Sequence, residues 1–390
     1  MTDLVVLSLE AWDAVWRRNQ YLVSGLLEQD ERLRVLFVEP AADPLHALRS
    51  RRRPRAGAGL RGATDHDRLW LYQPTKVLPR AADPGGDRRR ARAVVRAARR
   101  LRMRMPVLWI NDPAGARVLA RTGWPALYDI TDDWLAAVRT PAENRRLRED
   151  EATLLRRCEE VVVCSAHLAA TKGAARPVTL VPNAVDPAPY RAPVDRPADL
   201  PPGPVAVYVG TIHTDRIDVD LCLDVARALG RGRLVLVGPA PLPPGDRERL
   251  VRSGVVLLGA KDRREVPGYL RHADVLLVPH VVTPFTESLD PIKLYEYRAA
   301  GRPVVSTPVA GFRGSDDPQV AVADRAAFPE AVRAALAAQG RPAPAPDRLA
   351  PTGGPAAPGD GDGGEPPSLP TWSTRVTEMR AVLDRLVAAR

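Results

Sequence analysis

Short apolar, β-branched-rich runs punctuate the first half of the chain at Leu4–Leu9, Val35–Val38, Leu69–Tyr72, Val107–Ile110, Ala126–Ile130, Val161–Cys164 and Val178–Val181. Polar or amphipathic stretches, mostly long enough for a helix, separate most of them. Such alternation predicts strands buried on both faces of a parallel sheet and joined by crossover helices. After Val185 the pattern stops in a proline-spaced run, Asp186-Pro-Ala-Pro-Tyr-Arg-Ala-Pro. It restarts at Val205–Val209, Leu234–Val237, Val255–Leu258, Val275–Val278, Val304–Ser306 and Val320–Val322. The expected architecture is therefore α/β: residues 1–183 and 204–338 form two Rossmann-like, doubly wound domains across a linker, 184–203. Their cleft lies at the carboxyl ends of the strands. Residues 339–371 are low in complexity and too poor in apolar side chains to build a core. In residues 372–390 the spacing predicts a last helix, Ser373–Ala389, with Val376, Met379, Val382, Leu383 and Leu386 on one face. That face is expected to dock back on the body.

Composition narrows the class. A chain of 390 residues suits two domains of about 170 residues each. With 45% hydrophobic and 27% charged residues it is globular, and no stretch approaches the roughly 20 apolar residues of a membrane span. The N-terminus carries an early acid, Asp3, and too short an apolar run for a signal peptide, which points to the cytoplasm. Cys158, Cys164 and Cys222 give neither a paired framework nor metal-ligand spacing, in keeping with a reducing compartment. Asp218-Val-Asp220 superficially resembles a metal-binding pair, but it precedes a helix and reads as its cap.

The net charge of +10 is local. Residues 51–104 hold 17 cations and 4 acids, a net of +13, so the remainder is slightly acidic. Arg88–Met105 places Ala91, Val94, Val95, Ala98, Leu101 and Met105 on one helical face and arginine on much of the rest. An ordinary crossover helix with solvated arginines fits that pattern. So does a patch for anionic lipid headgroups, joined by Arg51-Arg-Arg-Pro-Arg55, which would hold the protein at the inner face of the cell membrane. Little aromatic interleaving argues against nucleic acid as a partner.

The most informative segment is residues 284–306. Asp290 and Pro291 read as N-cap and first helical residue, and Gly301 with Pro303 ends the helix. Lys293 and Glu296 fall on its first turns. A helix start carrying a cation and a carboxylate suits a ligand with an anionic part and a hydroxylated part, such as a nucleotide diphosphate sugar.

These pieces occur in a telling order: Trp12-Asp13-Ala-Val-Trp16-Arg17-Arg18-Asn19-Gln20, Tyr128-Asp129-Ile-Thr-Asp132-Asp133-Trp134, Val181-Pro182-Asn183-Ala-Val-Asp186, Tyr208-Val-Gly210, Val237-Gly238-Pro239 and Lys293-Leu-Tyr-Glu296-Tyr-Arg-Ala-Ala-Gly301-Arg-Pro303. The chain resembles bacterial glycosyltransferases of the two-domain GT-B fold, family 4 or group 1 type, most of all those of teichuronic-acid-type cell-surface polysaccharides. The resemblance implies sugar transfer from a nucleotide diphosphate sugar to a hydroxyl acceptor. That acceptor would be a polysaccharide, a lipid-linked saccharide or a secondary metabolite, and no cofactor or bound metal would be required. It places Glu296 at the donor ribose hydroxyls, Lys293 and Arg216 at the diphosphate, and Gly210, Ser288 and Leu289 on the donor side. Thr211 stands where an arginine is usual, and Ser288 where the family has a second glutamate eight positions before Glu296; the adjacent Glu287 is the substitute carboxylate. On the other side, Asp129, Asp132 or Asp133 is expected to act as base or to hold the donor sugar, with helix capping the alternative for the last two. Asp13, Arg17 and Arg18 fall where acceptors approach, or simply stabilise a helix surface. A sugar-nucleotide epimerase of the same fold and a non-catalytic relative of these enzymes are the alternative functions.

Overall fold

The structure, a computed structural model, describes residues 3–49, 53–79, 82–83, 85–339 and 369–388. Most of the low-complexity segment, Arg51, Arg52, Arg80 and Ala389 lie outside the described residues.

Among the described residues, fourteen strands form two sheets. The first sheet comprises β1 (Asp3–Leu7), β2 (Arg34–Val38), β3 (Gly59–Gly62), β4 (Leu69–Gln73), β5 (Val107–Ile110), β6 (Ala126–Ile130), β7 (Glu160–Val163) and β8 (Thr179–Leu180). Their order is β3-β4-β2-β1-β5-β6-β7-β8. The second comprises β9 (Val205–Val209), β10 (Arg233–Val237), β11 (Val256–Gly259), β12 (Val275–Val278), β13 (Val304–Ser306) and β14 (Val320–Val322). Its order is β11-β10-β9-β12-β13-β14, and every pairing in it is parallel. Each sheet changes direction beside its first strand, the topology that opens a crevice at the carboxyl ends.

The apolar runs become central strands because both of their faces are covered. In β1, Val5 and Leu7 point into a core beneath helix α2 (Gly86–Arg100), whereas Leu4 and Val6 join a second core with helix α1 (Arg18–Gln29). The thirteen expected runs all coincide with strands. The strand they miss is β3, Gly-Leu-Arg-Gly, which pairs antiparallel with β4 at the sheet edge. Only one of its residues is strongly apolar, because an edge strand has less surface to bury. The proline-spaced linker also differs from expectation. It contains a short helix, Ala188–Arg191, whose Tyr190 is buried against the second domain.

Two further helices position the cleft and close the chain. Helix α3 (Ile292–Ala300) lies between β12 and β13. Helix α4 (Trp372–Ala388) brings the chain back onto the first domain, where Val376, Met379, Val382, Leu383 and Leu386 enter the α1 core. Trp372 stacks on Tyr21 at 4.6 Å, and Arg380 pairs with Asp30 at 2.8 Å. Each of those apolar side chains contributes roughly 1.5–3 kcal/mol of burial, so the return helix is firmly seated. Among the described residues, no helix is long and apolar enough to cross a membrane.

Candidate active site in the interdomain cleft

Facing carboxyl ends of the two sheets enclose a cleft of about 1310 Å³, with residues of both domains in its walls. Strand β1 stops at Leu7, which releases Glu10, Asp13, Trp16 and Arg17 into the cleft as a loop. The loop after β6 adds Asp132 and Trp134. From the second domain come Gly210 and Arg216 after β9, Phe285 and Leu289 after β12, and Lys293 and Glu296 from α3.

The N-terminus of α3 is set differently from the sequence expectation. Pro291 is the N-cap, with extended backbone and no side-chain cap, and the helix begins at Ile292. Asp290 does not cap it. Its carboxylate accepts hydrogen bonds from the Asn183 backbone N–H and from the Tyr295 hydroxyl, the latter at 2.9 Å. Asp290 thus ties the end of the first domain to α3, and the first amides of the helix are left without a side-chain acceptor. Such a terminus carries partial positive charge toward the cleft.

Lys293 sits one residue into that helix, 4.9 Å from the centre of the Tyr208 ring. Burial, with Arg216 adding to it, pushes its ammonium down to about 7, while Glu296 opposes the shift. The approach depends on Gly210: at φ +148°, a Cβ there would stand 2.9 Å from the Tyr208 hydroxyl and 3.3 Å from Lys293 Nζ. Glu296 is one turn further on. Its Oε1 accepts a 2.8 Å hydrogen bond from Tyr190, and burial raises its carboxyl above the usual range against the pull of that bond and of Lys293. Arg216 reaches across the domains: its Nη2 is 3.5 Å from Asp132 Oδ1, and its guanidinium stands 5.5 Å over the Phe285 ring.

Several expected residues are placed elsewhere. Asp129 is fully buried and does not line the cleft. Its carboxylate receives Arg18 at 3.4 Å through two nitrogens, Trp109 Nε1 at 3.1 Å and Asn111 Nδ2 at 3.1 Å. With its lone pairs consumed in the core, it is a structural anchor and not a base facing the cleft. Arg18, only 4% exposed, also donates to the Pro182 carbonyl and Asn183 Oδ1 at 3.3 Å. It reaches the cleft wall, but its guanidinium is spent as a strut on these first-domain partners. Arg17 does line the cleft, paired with Glu10 at 3.2 Å and Asp13 at 3.7 Å.

Glu287 and Ser288 also depart from expectation. Glu287 forms a two-pronged pair with Arg313 at 2.7 and 2.9 Å, away from the cleft. Ser288 is fully buried: its hydroxyl donates to the Phe285 carbonyl at 2.7 Å and accepts from the Asp133 N–H at 3.0 Å. Ser165 Oγ donates to the Ser288 carbonyl at 2.7 Å, so the turn before α3 joins the two domains. Neither residue presents a carboxylate to the cleft. Asp133 pairs with Lys172 at 3.2 Å.

Three side chains in or bordering the site do not stand out as candidates in the sequence. Tyr190 falls inside what reads as a linker, and Tyr208 ends a strand and reads as core. Glu10 has a usable signal: it follows the first strand, at the carboxyl end where ligands bind in such sheets. Crowding in the cleft raises its carboxyl to about 7, with burial the main cause, Arg17 and Arg216 opposing, and Asp132 and Asp13 adding to it. Among the described residues, no group of three or more His, Cys, Asp or Glu is placed to hold a metal ion.

Residues 203–338 match the family described as glycosyl transferases group 1. A curated Bacillus subtilis protein, TuaH, whose name assigns it to teichuronic acid biosynthesis as a glycosyltransferase, is 27% identical over 220 residues. That alignment covers 51% of this chain and 55% of TuaH, so the chain matches about half the length of this relative. Among solved structures, the trehalose 6-phosphate synthase of Burkholderia multivorans covers all of both chains at a TM-score of 0.64 and 13% identity. Anabaena HepE, solved in complex with UDP and glucose, covers 87% of this chain and 89% of its own at a TM-score of 0.58 and 13% identity. Residues 203–338 thus match the group 1 glycosyl transferases, within a chain whose two facing, largely parallel sheets have the GT-B fold.

Proposed function

We propose that the chain transfers a glycosyl group from a nucleoside diphosphate sugar to a hydroxyl acceptor. One observation carries the reading: a single cleft holds Lys293 and Arg216 beside an uncapped helix N-terminus, and Glu296 one turn away under the hydrogen bond from Tyr190. Two cations and free amides suit a diphosphate, and a carboxylate held at a fixed height suits a vicinal diol such as that of ribose. Gly210 and Leu289 complete the donor wall. The opposite wall, with Asp13, Arg17, Trp16 and Trp134, leaves room for an acceptor. Bringing the walls together excludes water and favours transfer over hydrolysis. Lys293, Arg216 and the helix terminus meet the charge that develops on the leaving diphosphate, so this reading requires no metal.

A panel of UDP-, GDP- and dTDP-sugars tests the proposal. Stabilisation against heat by one donor class, with release of free nucleotide diphosphate, is the expected result. Interconversion of the sugars without release would indicate an epimerase, and inertness with no thermal shift would indicate a protein that does not use such donors.

The acceptor is proposed to reach the enzyme at the inner face of the cell membrane. Helix α2 buries Ala91, Val94, Val95, Ala97 and Ala98 and exposes Arg88, Arg92, Arg96, Arg99 and Arg100. Arg102 and Arg104 continue the exposed row, beside Met105 at 54% exposure. Near an anionic bilayer each such cation contributes about 1 kcal/mol. Co-sedimentation with phosphatidylcholine vesicles containing anionic phosphatidylglycerol is the expected result, with none on phosphatidylcholine alone. Exchanging Arg92, Arg96 and Arg99 for Glu should abolish it; equal binding to both vesicles would rule the surface out.

A further inference from the structure

We propose that Glu10 is the group that takes the proton from the acceptor hydroxyl during transfer. This rests on the glycosyl-transfer reading above and adds a residue to it. Glu10 is placed by the end of β1, where its N–H donates to Ser8 Oγ at 3.0 Å and its side chain projects into the cleft. The charged groups facing it are Arg17 and Asp13 on its own loop, Asp132 from the loop after β6, and Arg216 from the second domain. It therefore stands on the first-domain wall, with Arg216 of the second domain facing it across the cleft.

The neighbouring carboxylates are less suited. Asp132 has Arg216 at 3.5 Å from Oδ1 and accepts from Thr131 Oγ1 on Oδ2 at 3.1 Å, so each of its oxygens already has a partner. Asp13 accepts from the Val15 N–H at 2.9 Å and its side chain is 49% exposed at the rim, against 35% for Glu10. Glu10 has Arg17 as its one ion-pair partner among the described residues, at 3.2 Å from Oε1. Arg17 steadies the carboxylate from one side, and the rest of the group faces the space an acceptor would fill. The shift of this carboxyl to about 7 fits the task, since a base is most effective when it titrates near the working pH.

The acceptor oxygen forms a bond to the anomeric carbon as its O–H proton passes to the Glu10 carboxylate. The bond from the anomeric carbon to the diphosphate oxygen breaks, and its electron pair leaves on the diphosphate beside Lys293 and Arg216. Glu10 returns the proton to solvent when the product departs, so atoms, charge and electrons balance over the cycle.

The test uses the full chain and whichever UDP-, GDP- or dTDP-sugar stabilises it most against heat. Nucleotide release is followed with water as the hydroxyl. For Glu10→Gln, the unliganded melting temperature and the donor-induced shift should stay at wild-type values while release falls by about 10²-fold or more. In the wild type, kcat/KM should rise with pH up to about 7, because only ionised Glu10 accepts the proton, and fall above it as Lys293 loses its charge; Glu10→Gln should lack the rising limb and keep the falling one. Glu10→Asp should keep the rising limb at a reduced rate, which a purely structural role would not produce. Glu10→Gln with wild-type release and an unchanged rising limb would overturn the assignment while leaving glycosyl transfer standing. A wild-type protein that neither binds nor cleaves any donor would overturn both.

Discussion

Replacing Asp129 by Ala should cost about 3–5 kcal/mol of stability, measured as a lowered denaturant midpoint, because it leaves a buried guanidinium without its counter-charge. Arg18 is 4% exposed and Asp129 is fully buried, so water cannot take over the interaction. The loss also strands Trp109 Nε1, a donor with nowhere else to turn. Breaking one side of such a pair is far more damaging than removing both. Arg18→Met combined with Asp129→Leu should therefore recover a substantial part of the loss, and a double-mutant cycle reads the coupling. This outcome separates an anchor from a base. An Asp129→Ala protein with wild-type stability and only its turnover destroyed would return Asp129 to the catalytic role its sequence position suggests.

The second large effect is expected at α3. Glu296→Gln removes the charge from a carboxylate assigned to two ribose hydroxyls, and charge-assisted bonds contribute about 1.5–3 kcal/mol each. Nucleotide affinity should fall by about 10- to 100-fold, as measured by calorimetry. Lys293→Ala should lower turnover by about 10²–10³-fold, the range seen when a group facing developing charge is removed. Lys293 also gives the binding a pH signature. Its ammonium titrates near 7 in the free protein, and a diphosphate requires the charged form. Binding then takes up a proton, so affinity for a UDP-sugar should weaken as pH rises above about 7, approaching tenfold per unit at the limit. Lys293→Ala should flatten that dependence. Undiminished nucleotide affinity and turnover in both variants would remove the donor site from α3.

Much of the second-domain wall of the cleft was legible in the sequence because its residues are local to one segment. Lys293, Leu289 and Glu296 reach the cleft through the geometry of a single helix start, and Gly210 reaches it through the end of one strand. The cap was not legible. Asp before Pro reads as an N-cap, yet Asn183, over a hundred residues away, competes successfully for the Asp290 carboxylate. Glu287 and Ser288 show the same limit. Adjacent in sequence, one is drawn outward by Arg313 and the other inward by Asp133 and the Phe285 carbonyl.

The first-domain wall was less legible, since its acids are defined by partners from distant parts of the chain. Three acids, Asp129, Asp132 and Asp133, are nearly consecutive at the end of one strand. Strand alternation and partners from three other elements send the first into the core, the second to Arg216 and the third to Lys172. Glu10 gains its raised carboxyl only where both domains crowd it.

The chain alone determined its parallel sheets, the break between its domains and the sticky face of its last helix, because periodicity and burial are properties of neighbours in sequence. Only the tertiary structure decided which carboxylates face the cleft and which are spent as struts. A carboxylate's role depends on the cations, donors and water within a few ångströms of it, and here most of those come from distant parts of the chain.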